Sequence, residues 1–134
     1  MRKRFFLIVS LLVVQGCEKR GEIYSRFLLA ERPEVACVDF NRSLPYAPVL
    51  DTAFHETGTE PREGCPYTVT VFKNFASCSA SRGPTASRGF MRLELSRNAA
   101  VLYQVQREFY DEHDDELIGS LVERMATDLS PVSR

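Results

Sequence analysis

The chain has 134 residues, of which 44% are hydrophobic, and its 17 lysines and arginines against 18 aspartates and glutamates give a formal net charge of −1. This length suits one small domain with a modest core. Residues 1–16 carry three positive charges and no negative one, so residues 17–134 carry −1 minus +3, or −4. This acidic balance argues against a nucleic-acid binder, because such proteins present a basic face.

The first seventeen residues have the pattern of a bacterial lipoprotein signal peptide. A basic start is followed by an apolar run over residues 5–14, and a small residue, Gly16, precedes Cys17. The run is about half the ~20 residues that a bilayer-spanning helix needs, so it is typical of a cleaved segment. The sequence Val14-Gln15-Gly16-Cys17 resembles the lipobox of bacterial lipoproteins. Two alternatives remain: a secretory signal cleaved elsewhere and an uncleaved short anchor.

The lipobox resemblance implies a protein held on a membrane by lipid. It implies that residues 1–16 are removed as the signal peptide, that Cys17 becomes the acylated N-terminus, and that residues 17–22 form a lipidated tether. Two or more acyl chains hold a protein firmly, since each buried CH₂ contributes about 0.8 kcal/mol. In enterobacterial lipoproteins an aspartate after the cysteine favours the inner membrane. With Glu18 at that place, the resemblance favours the periplasmic face of the outer membrane, and the inner membrane is the alternative.

Three cysteines other than Cys17 leave the disulfide pairing partly open. The compartment outside the cytoplasmic membrane permits disulfides, and three cysteines allow at most one bridge among themselves. The segment between Cys65 and Cys78 is predicted to be a strand; its extended length of ~40 Å far exceeds the ~7 Å that bridged Cα atoms require. We therefore expect any disulfide to join Cys37 to Cys65 or to Cys78. Three reduced thiols are the alternative.

The sequence of the first half of the domain predicts short elements of secondary structure. Residues 23–32 are apolar without a clear period and indicate a short helix or a strand. Residues 34–40 alternate and indicate a largely buried strand. Pro48 suits the first turn of a short helix over residues 48–57. A polar loop is predicted at residues 58–64.

The second half has clearer patterns. Residues 67–76 alternate and predict a strand, and the small polar residues 78–89 predict a loop. Residues 90–96 and 101–109 each have one apolar and one polar face, and Arg97-Asn98 predicts the turn of a hairpin. A final amphipathic helix is predicted with Asp114 as N-cap and Pro131 at its stop. Its apolar stripe consists of Leu117, Ile118, Leu121, Val122, Met125 and Leu129.

The densest group of candidate ligands lies at residues 110–116. Asp111, His113 and Asp115 have the atoms to hold a divalent cation. Acidic residues ahead of a helix are, however, the usual capping and dipole pattern, and we interpret the group in that way. The sequence has neither a nucleophile elbow nor a phosphate-binding loop. It therefore predicts no catalytic residue, no metal site and no cofactor, and we expect the protein not to be an enzyme.

The hairpin and terminal helix, residues 89–131, resemble the ends of small Gram-negative lipoproteins, including the curli-secretion group and the penicillin-binding-protein activators. The resemblance implies an accessory role and an α+β domain. We predict a single α+β domain over residues 23–134, an antiparallel sheet with the C-terminal helix packed on one face. The predicted function is non-catalytic contact with an envelope protein complex. A small-ligand or cation-binding module that uses the 78–89 loop or the 111–116 cluster is the alternative.

Overall fold

The computed structural model describes residues 23–29, 32–75, 88–110 and 112–130. The predicted signal peptide, Cys17, the tether, Cys78 and most of the predicted 78–89 loop lie outside these ranges. Within the described ranges no helix is both long and apolar enough to cross a membrane. The elements in chain order are β1 (Ile23–Phe27), β2 (Cys37–Val38), α1 (Ala47–Glu56), β3 (Glu60–Pro61), β4 (Tyr67–Phe75), β5 (Arg88–Arg97), β6 (Ala100–Tyr110) and α2 (Asp114–Leu129).

Four of the strands form one antiparallel sheet in the order β1-β6-β5-β4. The short strands β2 and β3 form a separate parallel pair. With a C-terminal helix on this sheet, the predicted α+β class is confirmed. Of the segment 23–32, for which the sequence left helix or strand open, Ile23–Phe27 form strand β1, which pairs with β6 at the edge of the sheet.

The β5–β6 hairpin has the predicted two faces but a different turn. Asn98 and Ala99 are its two central residues, with φ of 52° and 66°. A two-residue hairpin turn with positive φ at both positions matches the right-handed twist of the strands, so the turn falls one residue later than predicted. The register also shifts between Leu95 and Ser96, which leaves Leu102 as an extra residue in β6. This bulge bends the end of the hairpin.

The predicted apolar stripe of α2 is buried against the sheet. Five of its six residues are at most 1% exposed: Leu117, Ile118, Leu121, Val122 and Met125. They share one core with the inward residues of β5 and β6, which include Met91, Leu93, Leu95 and Val105. Helix α1 packs beside α2 on the same side of the sheet.

Helix α2 begins differently from the prediction. His113 occupies the N-cap position without a side-chain cap bond, and Asp114 is the first helical residue. The Asp114 carboxylate instead accepts a hydrogen bond from Lys73 Nζ at 2.8 Å. Lys73 lies on β4, so this contact joins the start of α2 to the sheet. Acidic residues still fill the first turn, where the helix dipole favours negative charge.

The predicted strand over residues 34–40 is mostly irregular. Only Cys37 and Val38 form a strand, because their partner β3 is itself two residues long. The chain then crosses to β4, where the Asp39 amide donates to the Tyr67 carbonyl and the Asp39 carbonyl accepts from the Val69 amide, each at 2.8 Å. The segment thus links the small parallel pair to the main sheet.

A disulfide joins Cys37 to Cys65, with their Cα atoms 6.0 Å apart. Both cysteines are 6% exposed. This is one of the two pairings that the sequence left open. The bridge ties the loop after β3 to β2, where the Arg62 amide also donates to the Val38 carbonyl at 2.8 Å.

Candidate interaction surface

Helices α1 and α2 lie on one side of the four-stranded sheet, and the other side is here called the outer face. In the described ranges no helix packs against this face. Because successive strand residues point to opposite sides, its side chains alternate with those of the core. They are Tyr24, Arg26, Thr68, Thr70, Phe72, Asn74, Phe90, Arg92, Glu94, Ser96, Gln104, Gln106 and Glu108.

The strand register arranges these side chains in rows across the sheet. One row consists of Tyr24, Gln106, Arg92 and Phe72. The adjacent row consists of Arg26, Gln104, Glu94 and Thr70. The first row therefore has an aromatic ring at each end, and the second places a cation, an amide and a carboxylate side by side.

Polar contacts fix the side chains of the second row. Arg26 Nε donates to Gln104 Oε1 at 3.0 Å, and Gln104 Nε2 donates to Glu94 Oε2 at 2.7 Å. Arg92 Nε lies 3.0 Å from the same Glu94 oxygen. Hydrogen bonds to charged groups are stronger than those between neutral groups, and linked bonds reinforce one another. The network therefore orders side chains from three strands, β1, β6 and β5.

Aromatic rings flank this network. The Arg92 guanidinium lies 5.0 Å from the centre of the Phe72 ring and 5.8 Å from that of Phe90, within cation–π range. Phe72 is 39% exposed and Tyr24 is 52% exposed. A depression of about 240 Å³ lies between β1, β6 and β5 and is lined in part by Arg26, Arg92 and Gln106. The outer face therefore offers aromatic, guanidinium and amide groups on rigid strands.

Of the three residues that the sequence offered as a cation site, the structure describes two. His113 and Asp115 are exposed, and Asp111 lies outside the described residues. Among the described residues no three histidine, cysteine, aspartate or glutamate side chains converge. Of the predicted loop at residues 78–89, only residues 88 and 89 are described, and they begin β5. Both places named for the ligand-binding alternative are thus only partly described.

Comparison with known proteins identifies no family. No family matches the chain, and no curated protein does. Two solved structures of the PelC dodecamer from Paraburkholderia phytofirmans, one of them a leucine-to-methionine variant, superpose with a TM-score of 0.49 at 13% identity. The superposition covers 84% of this chain and 99% of PelC. A TM-score at this level assigns no function.

On the inner side of the sheet, Asp128 connects the end of α2 to β6 and β1. The hydroxyl of fully buried Tyr103 donates to Asp128 Oδ2 at 2.7 Å, and Ser25 also bonds this carboxylate. Arg124 Nε lies 3.2 Å from Asp128 Oδ1. These contacts hold edge strand β1 against the helix layer, and thereby position Tyr24 and Arg26 on the outer face.

The same contacts shift the pKa values of both partners. Burial raises the pKa of Asp128, but the hydrogen bonds from Ser25 and Tyr103 and the charge of Arg124 outweigh it, so the pKa lies below its usual range. Burial, followed by the hydrogen bond to Asp128 and its negative charge, raises the pKa of Tyr103 far above its usual range. The folded state therefore favours an ionised Asp128 and a neutral Tyr103.

Replacement of Asp128 by asparagine is expected to reduce stability in a pH-dependent way. A carboxyl group whose pKa is lower in the folded state stabilises the fold at every pH above its unfolded-state pKa of about 3.9. This contribution is lost as the pH falls through the pKa of the folded state. We expect Asp128→Asn to lower the free energy of unfolding by about 1–3 kcal/mol at pH 6. The deficit should shrink progressively below about pH 4. Urea denaturation at several pH values measures this.

The matched control for Asp128 is Asp51→Asn, because the Asp51 side chain is 41% exposed and also lies near an arginine, Arg42. This variant removes the same charge from the surface. Its stability deficit should be small, since exposed ion pairs contribute about 0–1 kcal/mol. A deficit for Asp128→Asn that is the same at pH 3 and pH 6 would contradict the pKa assignment.

Proposed function

We propose that this protein is a lipid-anchored, non-catalytic accessory protein of the bacterial cell envelope, and that its outer face contacts an envelope protein partner. The observation that carries the proposal is the ordered set of aromatic and arginine side chains on that face. Aromatic residues and arginine are enriched in protein–protein interfaces and supply much of their binding energy. Side chains already held by a network lose less conformational freedom on binding.

The shape of the outer face favours a protein over a small ligand. Its depression of about 240 Å³ is smaller than the ~300–1,000 Å³ of typical ligand-enclosing pockets. The exposed aromatic rings are also spread over the width of the sheet, from Tyr24 on β1 to Phe72 on β4. A partner surface can touch both rings at once, whereas a ligand in the depression touches only one end of the row.

The anchor in this proposal rests on the lipobox at Cys17. Acyl chains on Cys17 would insert into membrane lipid and hold the domain at the periplasmic face of the outer membrane, with the inner membrane as the alternative. The outer face would then meet its partner while both are confined to the envelope. Confinement raises the effective concentration of the two surfaces, so a moderate intrinsic affinity is sufficient.

Replacement of Cys17 by serine tests the anchor. We expect the wild-type chain to begin with an acylated Cys17 and the Cys17→Ser variant to be neither acylated nor processed at this site. Mass spectrometry of the N-terminal peptide and membrane fractionation measure both properties. Cys78→Ser is the matched control, because it also replaces a cysteine but should leave the anchor intact. An unmodified N-terminus at another residue in the wild-type chain would contradict the lipoprotein assignment.

A photo-cross-linking amino acid placed on the outer face tests the partner. We expect benzoylphenylalanine in place of Phe72 to give one defined adduct with an envelope protein in living cells. The same group in place of His55 on α1 is the control, since that side chain is 65% exposed on the helix layer and should give no such adduct. Adding Arg92→Ala to the variant that carries the cross-linker at position 72 should reduce the yield of the adduct. In the natural chain this guanidinium packs on the ring of residue 72.

Two results would overturn the docking proposal while leaving the anchor untouched. One is an equal yield of the same adduct from positions 72 and 55, which would mean that contact is not specific to the outer face. The other is no adduct from position 72 although the variant is folded and lipidated. Mass spectrometry of the adduct identifies the partner and its stoichiometry.

A further inference from the structure

Strand β1 lies at one edge of the described sheet, and its side away from β6 is here called the free edge. It pairs with β6, and in the described ranges no other strand pairs with its opposite side. An edge strand of this kind presents unpaired amide and carbonyl groups that can accept another strand. Charge, proline or a crossing segment commonly blocks such an edge. Within β1 the sequence is IYSRF, with no proline and with its one charged side chain, Arg26, turned to the outer face.

The other edge of the sheet is partly closed. At one end of strand β4, Thr68 forms a parallel β-bridge with Asp39. Further along, Lys73 on β4 carries a charge and contacts Asp114 at the start of α2. The two edges therefore differ, and β1 is the one suited to pair with a further strand.

The hydrogen-bond pattern shows which backbone groups of β1 face the free edge. The Leu28 amide donates to the Leu102 carbonyl of β6 at 2.9 Å. In an antiparallel ladder the residues that bond one neighbour alternate with those that face away. The even-numbered residues of β1 therefore bond β6, and the amides and carbonyls of Ile23, Ser25 and Phe27 point to the free edge.

The β1 sequence is complementary to itself in the antiparallel direction. If two copies pair about a two-fold axis at Ser25, Ile23 lies opposite Phe27 and Tyr24 lies opposite Arg26. The first pair is apolar. The second brings an exposed aromatic ring and a guanidinium together on the outer face, where cation–π contact is favourable. Both pairs occur twice by symmetry, as an isologous interface requires.

The register and the bonding pattern agree with each other. Ile23, Ser25 and Phe27 face the free edge, so the pairs 23–27, 25–25 and 27–23 would exchange the backbone hydrogen bonds. Tyr24 and Arg26 would then form a non-hydrogen-bonded pair, in which side chains approach most closely. The geometry that supplies the backbone bonds thus also brings the ring to the cation.

We propose that β1 is a homodimerisation strand, which pairs antiparallel with β1 of a second copy of this chain about a two-fold axis at Ser25. The pairing joins the two four-stranded sheets into one of eight strands. It also joins the two outer faces into one continuous surface, with the Tyr24 and Arg26 side chains of both copies at its centre. The proposal does not rest on the existence of an envelope partner.

Site-specific disulfide formation tests the register. Chains that carry Tyr24→Cys are mixed with chains that carry Arg26→Cys, both in a Cys78→Ser background, and the mixture is oxidised with diamide. Detergent is kept in excess so that each micelle holds a single chain. We expect a cross-linked heterodimer in the mixture, because non-hydrogen-bonded pairs place Cα atoms within the range for a disulfide. Each variant alone should cross-link far less. No cross-link in the mixture, or equal cross-linking by Tyr24→Cys alone, would overturn the proposal.

Replacement of Ser25 by proline tests the edge independently. Proline removes an amide that faces the free edge and leaves the bonds to β6 intact, a placement that edge strands tolerate. Ser25→Ala is the matched control, since both variants lose the hydroxyl that bonds Asp128. We expect Ser25→Pro to raise the dimer dissociation constant at least about tenfold relative to Ser25→Ala, because two donors per dimer are lost.

Sedimentation equilibrium gives the two dissociation constants, and circular dichroism checks that both variants are folded. Equal dissociation constants for two folded variants, or a wild-type chain that remains monomeric at high concentration, would overturn the proposal. The disulfide and sedimentation experiments both use the purified chain without any partner protein. Their outcome is therefore separate from that of the cross-linking experiment at Phe72.

Discussion

Replacement of Leu121 by alanine is expected to lower the free energy of unfolding by about 2–5 kcal/mol. Leu121 is 0% exposed and lies in the middle of the α2 stripe, within the core shared with β5 and β6. Truncation removes the transfer free energy of its methyl groups and leaves a cavity, because neighbouring side chains relax only in part. Small proteins have total stabilities of about 5–15 kcal/mol, so the denaturation midpoint should fall markedly.

Gly119→Ala is the matched control for the Leu121 variant, since it changes the same helix only two residues away. A Cβ at Gly119 would meet no heavy atom within 4 Å. Alanine is favoured over glycine in a helix by up to about 1 kcal/mol, so this variant should be neutral or slightly more stable. Equal and small effects of the two substitutions would contradict the packing of α2 on the sheet. Chemical denaturation of both variants under one condition provides the comparison.

Removal of the disulfide is expected to have an effect of similar size. Cys37 and Cys65 are separated by 28 positions, and a cross-link that closes such a loop contributes about 3.5 kcal/mol by restricting the unfolded chain. The double variant Cys37→Ala/Cys65→Ala avoids a leftover thiol. It should have a correspondingly lower denaturant midpoint than the wild-type chain, and its midpoint should no longer respond to reductant.

The variant Cys78→Ala distinguishes between the two disulfide pairings that the sequence allows. With Cys37 joined to Cys65, this variant should keep a stability that depends on oxidation. A non-reduced digest should contain a peptide that links residues 37 and 65. A peptide that links Cys78 to either of the other two cysteines, or a Cys78→Ala variant as destabilised as the double variant, would contradict the observed bridge.

Strand β1 takes part in both the proposed docking surface and the proposed homodimer. Tyr24 and Arg26 belong to the outer face through their side chains and to the free edge through their strand. Pairing of two copies would leave Phe72, at the far side of each sheet, exposed for a partner, because β4 lies at the opposite edge from β1. A dimer would therefore present two copies of the docking surface, which strengthens binding to a partner with repeated sites.

Elements whose pattern is local could be predicted from the amino-acid sequence. The stripe of α2 repeats at helical spacing, so its six residues, five of which are buried in the structure, could be predicted from the sequence. The two faces of the β5–β6 hairpin follow from alternation within each strand. Pro48 marked the first turn of α1, which the structure places at Ala47–Glu56. In each case the residues that specify the element lie within one or two turns or one strand of each other.

Features that depend on partners distant in sequence could not be predicted in this way and became visible in the folded structure. Residues 23–27 carry no decisive period, and they form a strand because β6 offers an edge about 78 residues away. The segment before residue 40 alternates like a strand, but its partner β3 is too short to pair with more than two residues. The choice of Cys65 depends on where the loop after β3 packs. Tyr24 and Arg26 complete the rows of the outer face only when β1 pairs with β6. Pairing between strands, unlike periodicity, is set by which edges remain open in the folded chain.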